Sequence, residues 1–223
     1  MVFVNLCEVC GRRLTHAERH ICLGCELSMP LTDLHLLDFN TIHQRMAPHP
    51  PIERAAAMFH YLRDDPHVKL IHAAKYFDRP EVIAYLGEIY AKRLAASSDF
   101  FNGIDRIQPV PMHWFKHLRR GYNQAAVLAE AISRVTGIPL SDALSVSRHH
   151  STQTRKNRFE RWKNASGSYC ANPRECALLT GMHLLIVDDV ITTGSTVKAC
   201  ATALHASIPS VRLSVLSLGV TQQ

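Results

Sequence analysis

The sequence lacks any apolar run that approaches the roughly 20 residues of a membrane-spanning helix. Its first residues, Met-Val-Phe-Val-Asn-Leu-Cys, lack the basic start and the long apolar core of a secretory signal peptide. Internal repeats and low-complexity tracts are also absent, and an ordinary hydrophobic fraction of 47% argues against wholesale disorder. These absences argue against membrane-spanning, secreted and repeat proteins, and we expect a folded cytoplasmic protein.

The length of 223 residues leaves room for one sizeable hydrophobic core and a small appendage. A formal net charge of +6, together with fourteen histidines, favours an anionic partner. A net charge of this size is also common in proteins that need it only for solubility, so composition does not identify the partner.

Seven cysteines are an odd number and are unevenly placed, which is not the pattern of a disulfide framework. Two Cys-x-x-Cys pairs crowd the first 25 residues, namely Cys7, Cys10, Cys22 and Cys25, whereas Cys170, Cys176 and Cys200 are scattered. Four thiolates in a tetrahedron suit Zn²⁺, which would replace the hydrophobic core that about 25 residues cannot build. Free surface thiols and a redox pair are the alternatives. We predict a structural zinc site that serves as scaffold or docking surface.

The stretch 184–196 carries the pattern around which the chain is organised, Leu-Leu-Ile-Val-Asp-Asp-Val-Ile-Thr-Thr-Gly-Ser-Thr. Four apolar residues predict a strand buried on both faces, as in a parallel sheet. The adjacent carboxylates Asp188 and Asp189 stand where that strand should end. A hydroxyl-rich turn with one glycine follows, and from Val197 the apolar residues have helical spacing. The predicted order is strand, acidic pair, polar loop and helix.

This order suits a ligand that combines a sugar with a phosphate. Ligands of open α/β sheets bind beyond the carboxyl ends of the strands, where a helix N-terminus offers N–H groups to an anion. Gly194 lets the backbone approach that anion, and the neighbouring hydroxyls add donors. Carboxylates accept hydrogen bonds from sugar hydroxyls or hold Mg²⁺. A ribose with a 5′-phosphate fits the pattern, and an ordinary buried strand with a capped turn is the alternative.

All thirteen positions of the stretch resemble the phosphoribosyl pyrophosphate (PRPP) motif of type I phosphoribosyltransferases. The resemblance implies that Asp188 and Asp189, as the catalytic pair, meet the ribose hydroxyls. It implies that the loop wraps the 5′-phosphate with Thr192, Thr193, Gly194, Ser195 and Thr196. It also implies that Mg²⁺ accompanies PRPP.

A cationic stretch follows the apolar segment 104–110 and comprises Lys116, His117, Arg119 and Arg120 before Gly121. A basic loop at the carboxyl end of a strand could neutralise a second phosphate group. A solvated positive turn is the alternative. Earlier in the chain, Lys75 and Tyr76 are, on chemistry alone, a solvated helix end.

Several short strings together resemble the ComF family of phosphoribosyltransferase-like proteins. Arg120-Gly121-Tyr122-Asn123-Gln124 follows a Pro-x-Pro strand end at 109–111, as in that family. Matches also occur at the pair Lys75-Tyr76 and at Arg148, Gln153, Arg161 and Asn164. With the cysteine pairs and the PRPP motif, the resemblance spans nearly the whole chain, although the neighbourhood of Gln153 is more basic than is typical of the family.

The segment 148–163 is strongly basic and carries two aromatic residues, Phe159 and Trp162. It could clamp pyrophosphate as a mobile loop or track a nucleic-acid backbone with stacking aromatics. An exposed basic helix whose aromatics pack inward is the alternative. We assign Arg119, Arg120 and Arg148 to the pyrophosphate side of the ligand. The candidate nucleic-acid contacts are Arg155, Lys156, Arg158, Arg161 and Lys163.

We therefore predict an α/β fold, a type I phosphoribosyltransferase-like open parallel sheet flanked by helices, with a small N-terminal zinc-ribbon-like module. The predicted divisions are the cysteine module at 1–30, a linker that packs on the main domain at 31–54, and the main domain at 55–223. Predicted strands cover 55–62, 104–110 and 210–219 besides the one before the acidic pair, and helices cover 69–75 and the segment after Pro80.

The resemblance implies a protein that binds PRPP and assists the uptake or processing of transforming single-stranded DNA, together with DNA-uptake machinery proteins. A phosphoribosyltransferase that acts on an unidentified nucleobase or other nitrogen nucleophile is the first alternative. A zinc-dependent docking protein with a non-catalytic scaffold is the second. Expected cofactors are structural Zn²⁺ and, with PRPP, Mg²⁺.

Overall fold

The structure is a computed structural model that describes residues 5–48, 50–113, 118, 120–146 and 169–222. Its helices are α1 (Leu23–Leu27), α2 (Thr41–Met46), α3 (Val68–Tyr76), α4 (Pro80–Ser97), α5 (Gln124–Thr136), α6 (Pro173–Leu178) and α7 (Ser195–Ser207). Its strands are β1 (Ala55–Tyr61), β2 (Arg106–Pro109), β3 (Leu144–Val146), β4 (Tyr169–Ala171), β5 (His183–Ile191) and β6 (Arg212–Thr221). In these ranges, no helix is long and apolar enough to cross a membrane.

The main sheet has the strand order β1-β6-β5-β2, and every neighbouring pair is parallel. A separate antiparallel pair joins β3 to β4. Because parallel strands point the same way, the carboxyl ends of β5 and β2 meet at one edge of the sheet, beside the start of α7 and α5. The predicted open parallel sheet is confirmed.

Helices cover both faces of the sheet. Alternate side chains of each central strand therefore point into two different hydrophobic cores, one on each face. In β5, Leu185 and Val187 pack with α3, α4 and α5, whereas Leu184 and Ile186 pack with α2 and α7. At the crossing of α4 and α5, Gly87 leaves no room for a side chain, since a Cβ would lie 2.8 Å from Leu128 Cδ1. The chain thus forms three layers with two cores.

Strand β5 continues past the point at which the sequence predicts its end. It includes both acidic residues and reaches Ile191, which pairs with Val220 of β6. The extension depends on Gly219, opposite Val190, because a Cβ there would lie 3.3 Å from Val190 Cγ2 and from Tyr61 Cβ. The acidic pair therefore lies inside the last part of β5, where Asp188 is in register with Ser217 and Asp189 N–H donates to Asp188 Oδ1 at 2.9 Å.

The N-terminal residues share the core of the main domain. Cys7, Val9, Ile21 and Cys22 are buried in the same cluster as the inner faces of α3 and α4. The segment 31–54 contains a 3-10 turn (Leu34–Leu36) and α2, which Asn40 caps by accepting from Ile42 N–H at 3.0 Å. The same side chain donates to the carbonyl oxygen of Ala55 at 2.8 Å, which attaches this segment to β1.

Candidate functional site

The acidic pair and the hydroxyl-rich loop lie together at the carboxyl end of β5. Gly194 adopts φ +77° and ψ 0°, a left-handed conformation that suits glycine, and forms the N-cap of α7. Ser195 N–H donates to Thr193 Oγ1 at 3.4 Å, and the first N–H groups of α7 have no partner within the helix, so this end of the helix and the positive end of its dipole favour an anion. Thr193 Oγ1 and Ser195 Oγ are 3.1 Å apart beside them. The loop therefore has the composition of a phosphate cradle.

Lys75 is an ion-pair partner of the acidic pair. Its Nζ lies 2.9 Å from Asp189 Oδ2, and the two side chains are only 19% and 13% exposed. The interpretation of Lys75 as a solvated helix end is therefore wrong, because the last turn of α3 lies against the carboxyl end of β5. This ion pair places the ammonium group of Lys75 beside the two carboxylates of the site.

A pocket of about 530 Å³ opens between the acidic pair and the residues that follow β2. Its lining includes Lys75, Asp188, Asp189, Arg120, Thr192 and Thr196. Cations and carboxylates therefore face one cavity, with loop hydroxyls at its edge. Such a mixture suits a ligand that has both anionic groups and sugar hydroxyls.

The string 120–124 supports the wall of this pocket. Asn123 caps α5 by accepting from Ala125 N–H at 3.1 Å, and its Nδ2 donates to the Val110 carbonyl at 2.9 Å. Gln124 is 1% exposed, and its Oε1 accepts from Arg120 at 3.3 Å. The guanidinium carbon of Arg120 also lies 5.9 Å from the centre of the Tyr76 ring. Arg120 is therefore held at the pocket rather than left in bulk solvent.

Arg45 of α2 contacts the back of the loop 192–196, and the sequence did not predict this contact. Its guanidinium donates to the carbonyl oxygens of Ile191 (3.2 Å) and Thr192, and to both the hydroxyl and the carbonyl of Thr221. Nearby, Lys198 Nζ donates to the Ala47 carbonyl at 2.6 Å. The segment 31–54 thus attaches directly to the loop, and the residue pattern around Arg45 gave no signal of this contact.

The four N-terminal cysteines form a group that could hold a metal ion. Their sulfur atoms all lie within 4.8 Å of one another, and those of Cys10 and Cys22 are 3.8 Å apart. That separation matches the edge of a tetrahedron with Zn–S bonds of about 2.3 Å. Backbone N–H groups of Cys22 and Cys25 point at the sulfurs of Cys7 and Cys22, at 3.3 and 3.4 Å.

The pKa values of these cysteines are consistent with thiolate ligands of a metal ion. Arg12 and the N–H of Cys25 lower the pKa of Cys22 to about 6. Burial opposes ionisation of Cys7, but backbone N–H groups outweigh it and lower the pKa of that thiol. Burial, reinforced by the neighbouring sulfurs, raises the pKa of Cys25, so its thiolate forms readily only beside a cation. The residues present therefore fit a thiolate-bound metal.

Another cysteine, Cys200, lies buried on α7. Burial, together with the carboxylate of Asp188, raises its pKa well above the usual range. This thiol is therefore neutral at pH 7 and packs as a small apolar side chain. Cys200 therefore has the environment of a core residue and not of a nucleophile.

Seven of the predicted ligand contacts lie outside the residues that the structure describes. They are Arg119 and Arg148 of the pyrophosphate side and the candidate nucleic-acid contacts Arg155, Lys156, Arg158, Arg161 and Lys163. Of the three arginines assigned to pyrophosphate, Arg120 is the one that the described residues place at the pocket.

The sequence and the fold of this chain are similar to those of several known proteins. The family model described as "Phosphoribosyl transferase domain" matches residues 122–218. The DNA utilization protein YhgH of Escherichia coli (strain K12) is 31% identical over 203 residues, which cover 90% of this chain and 84% of that protein. Competence protein F of Haemophilus influenzae is 37% identical over 105 residues, which cover 45% of this chain and 44% of that protein. A solved adenine phosphoribosyltransferase from Saccharomyces cerevisiae aligns with 66% of this chain and 72% of its own, at 14% identity and a TM-score of 0.42.

The parallel sheet, the flanking helices and the matched domain define a phosphoribosyltransferase-like α/β fold with an N-terminal cysteine module. Its similarity to the DNA utilization protein extends over 90% of the chain, and its similarity to the competence protein covers 45% of it. The chain belongs to the ComF family, as the order of its sequence motifs predicts.

Proposed function

We propose that this chain binds PRPP, or a related phosphorylated ribose, in the pocket between β5 and β2, and that it assists the handling of single-stranded DNA during DNA uptake. One observation carries the first part of the proposal. The acidic pair, the loop at the start of α7 and the two cations Lys75 and Arg120 all face one cavity.

Each part of the ligand has a matching part of the pocket. The 5′-phosphate would accept hydrogen bonds from N–H groups and hydroxyls at 192–196, each helix-terminal interaction contributing about 0.3–1 kcal/mol. Asp188 and Asp189 would accept hydrogen bonds from ribose hydroxyls. The pyrophosphate would lie toward Arg120, because bonds between guanidinium and phosphate are charge-assisted. The carboxylate oxygens and the ligand's own phosphates suit Mg²⁺, which would neutralise part of the ligand charge.

Isothermal titration calorimetry with PRPP and Mg²⁺ tests this assignment. Arg120→Met should weaken PRPP binding about tenfold, because it removes one charge-assisted bond to the ligand. Arg106→Met is the matched control, since Arg106 lies at the opposite, amino end of β2. Unchanged affinity in Arg120→Met, or an equal loss in the control, would remove Arg120 from the ligand site.

The DNA part of the proposal is supported by the net charge of +6 and by similarity to a DNA utilization protein and a competence protein. The aromatic and basic residues predicted to contact DNA lie at 155–163. Fluorescence anisotropy with a labelled single-stranded oligonucleotide should show binding that weakens steeply with added salt, since released counterions dominate such affinity. Lack of binding at low salt would refute direct DNA contact.

A transfer reaction is the second candidate function, and the acidic pair beside Lys75 favours it. In that case a nitrogen nucleophile would attack the ribose carbon that carries pyrophosphate, and the pocket would neutralise the departing pyrophosphate. Pyrophosphate release from PRPP with candidate bases, or with DNA, would establish transfer. PRPP binding without release would support a ligand-binding role, and a folded, metal-loaded chain that binds no PRPP would support the docking alternative.

A further inference from the structure

Helix α3 is attached to both pairs of the cysteine module. Nζ of Lys69, in its first turn, donates to the carbonyl oxygen of Val9 at 3.0 Å, between Cys7 and Cys10. His67 immediately precedes the helix and is 3% exposed. Its Nε2 lies 2.7 Å from the carbonyl oxygen of Cys25. Lys69 therefore contacts the segment of the first cysteine pair, and His67 contacts the second pair.

The other end of α3 lies at the phosphoribosyl pocket. Lys75, in the last turn, makes the 2.9 Å ion pair with Asp189. The carbonyl oxygen of Ala74 accepts from the Tyr122 hydroxyl and from Gln124 Nε2, the latter at 3.4 Å. Lys75 lies six positions after Lys69, which corresponds to about 9 Å along a helix. A single short helix thus spans the distance between the module and the site.

The module and α3 are also packed into one core. Leu70 and Ile71 are fully buried in the cluster that contains Val9 and Ile21 of the module. Close packing transmits displacement, so a shift of the module has to move the helix. After α3, Arg79 pairs with Glu8 at 2.9 Å, which adds a third attachment.

We infer that the cysteine module fixes the position of Lys75 through α3, so that Lys69 and His67 are positioning residues of the phosphoribosyl site. The inference rests on the proposed function, because it assigns the effect of Lys75 to ligand affinity. Without Lys75, the two carboxylates face an anionic ligand with less compensating charge. If Lys69 is lost, the first turn of α3 is released from the module, and Lys75 aligns less well with Asp189.

A double-mutant cycle separates this role from a general structural one. PRPP affinity with Mg²⁺ is measured by calorimetry for the wild type, Lys69→Met, Lys75→Met and the double variant. Lys69→Met should weaken binding about threefold when Lys75 is present and should have no further effect in Lys75→Met, since residues that act as a unit are not additive. Lys69→Arg, which keeps a donor, should restore affinity, and Lys92→Met, an exposed lysine of α4, is the matched control.

The possible results distinguish failure of the inference from failure of the proposed function. Wild-type affinity in Lys69→Met, or the same loss in both backgrounds, would overturn the inference while leaving the proposed function intact. If Lys69→Met does not fold, His67→Gln replaces it in the same cycle. If the wild type binds no PRPP, the proposed function fails, and hydrogen exchange then decides separately whether the module fixes the last turn of α3. Faster exchange at amides 73–77 in Lys69→Met than in Lys92→Met would support it, and equal rates would overturn it.

Discussion

Replacing Gly194 by alanine tests the proposed phosphate-binding role of the loop 192–196. Both the backbone conformation of Gly194 and the space around it disfavour a side chain. Its left-handed backbone, with φ +77°, costs a residue with a side chain about 1 kcal/mol. A Cβ would also lie 3.2 Å from the Cβ of Arg45, closer than an ordinary van der Waals contact. Since Arg45 holds the carbonyl oxygens of Ile191 and Thr192, a displaced Arg45 would shift the loop itself.

Gly137→Ala is a matched control for the backbone constraint alone. Gly137 ends α5 with a similar φ of +75°, and a Cβ there would meet nothing within 4 Å. In urea denaturation, both variants should lose about 1 kcal/mol of unfolding free energy, and Gly194→Ala should lose up to about 1 kcal/mol more from crowding.

Ligand affinity distinguishes the two variants more sharply than stability does. By calorimetry, Gly194→Ala should weaken PRPP binding about tenfold, which corresponds to about 1.4 kcal/mol, whereas Gly137→Ala should bind as the wild type does. If Gly194→Ala and Gly137→Ala bind PRPP equally well, the loop does not hold the phosphate, and the reasoning from its geometry fails.

Three further predictions concern the loop support and the cysteine module. Arg45→Met should lower the unfolding free energy in urea by about 2 kcal/mol, since it removes the charge-assisted bonds to the carbonyl oxygens of Ile191, Thr192 and Thr221, and unchanged stability would contradict that role. Metal analysis should find one zinc per chain, and Cys10→Ser should lower the zinc content and the melting temperature, whereas full zinc retention would exclude Cys10 as a ligand. The zinc affinity of the metal-free chain should fall as the pH drops from 7 to 5, because zinc must displace the protons of the thiols and Cys22, whose pKa is lowered to about 6, becomes protonated in this range; an affinity independent of pH from 5 to 7 would argue against a thiolate site.

Features encoded in contiguous residues could be predicted from the sequence. The strand, loop and helix at 184–207 are such a case, because a buried apolar run, a glycine that adopts φ +77° and helical spacing follow one another directly. The pairing of Cys7-x-x-Cys10 with Cys22-x-x-Cys25 is another, since the spacing alone predicts that four sulfurs meet.

Features that depend on distant packing could not be predicted in this way. Arg45 and Thr192 are 147 residues apart, and Arg45 lies in a segment whose prolines and mixed polarity predict only a linker. Periodicity places Lys75 on a helix but does not say that the last turn of this helix lies against Asp189. The end of β5 was likewise missed, because it depends on the absence of a side chain at Gly219 in the neighbouring strand.

A crystal structure with bound PRPP and Mg²⁺ tests the central claim most directly. The 5′-phosphate should lie within hydrogen-bond distance of backbone N–H groups and hydroxyls at 192–196, and the ribose hydroxyls should contact Asp188 and Asp189. A ligand bound elsewhere, or a phosphate turned away from the N-terminus of α7, would contradict the account.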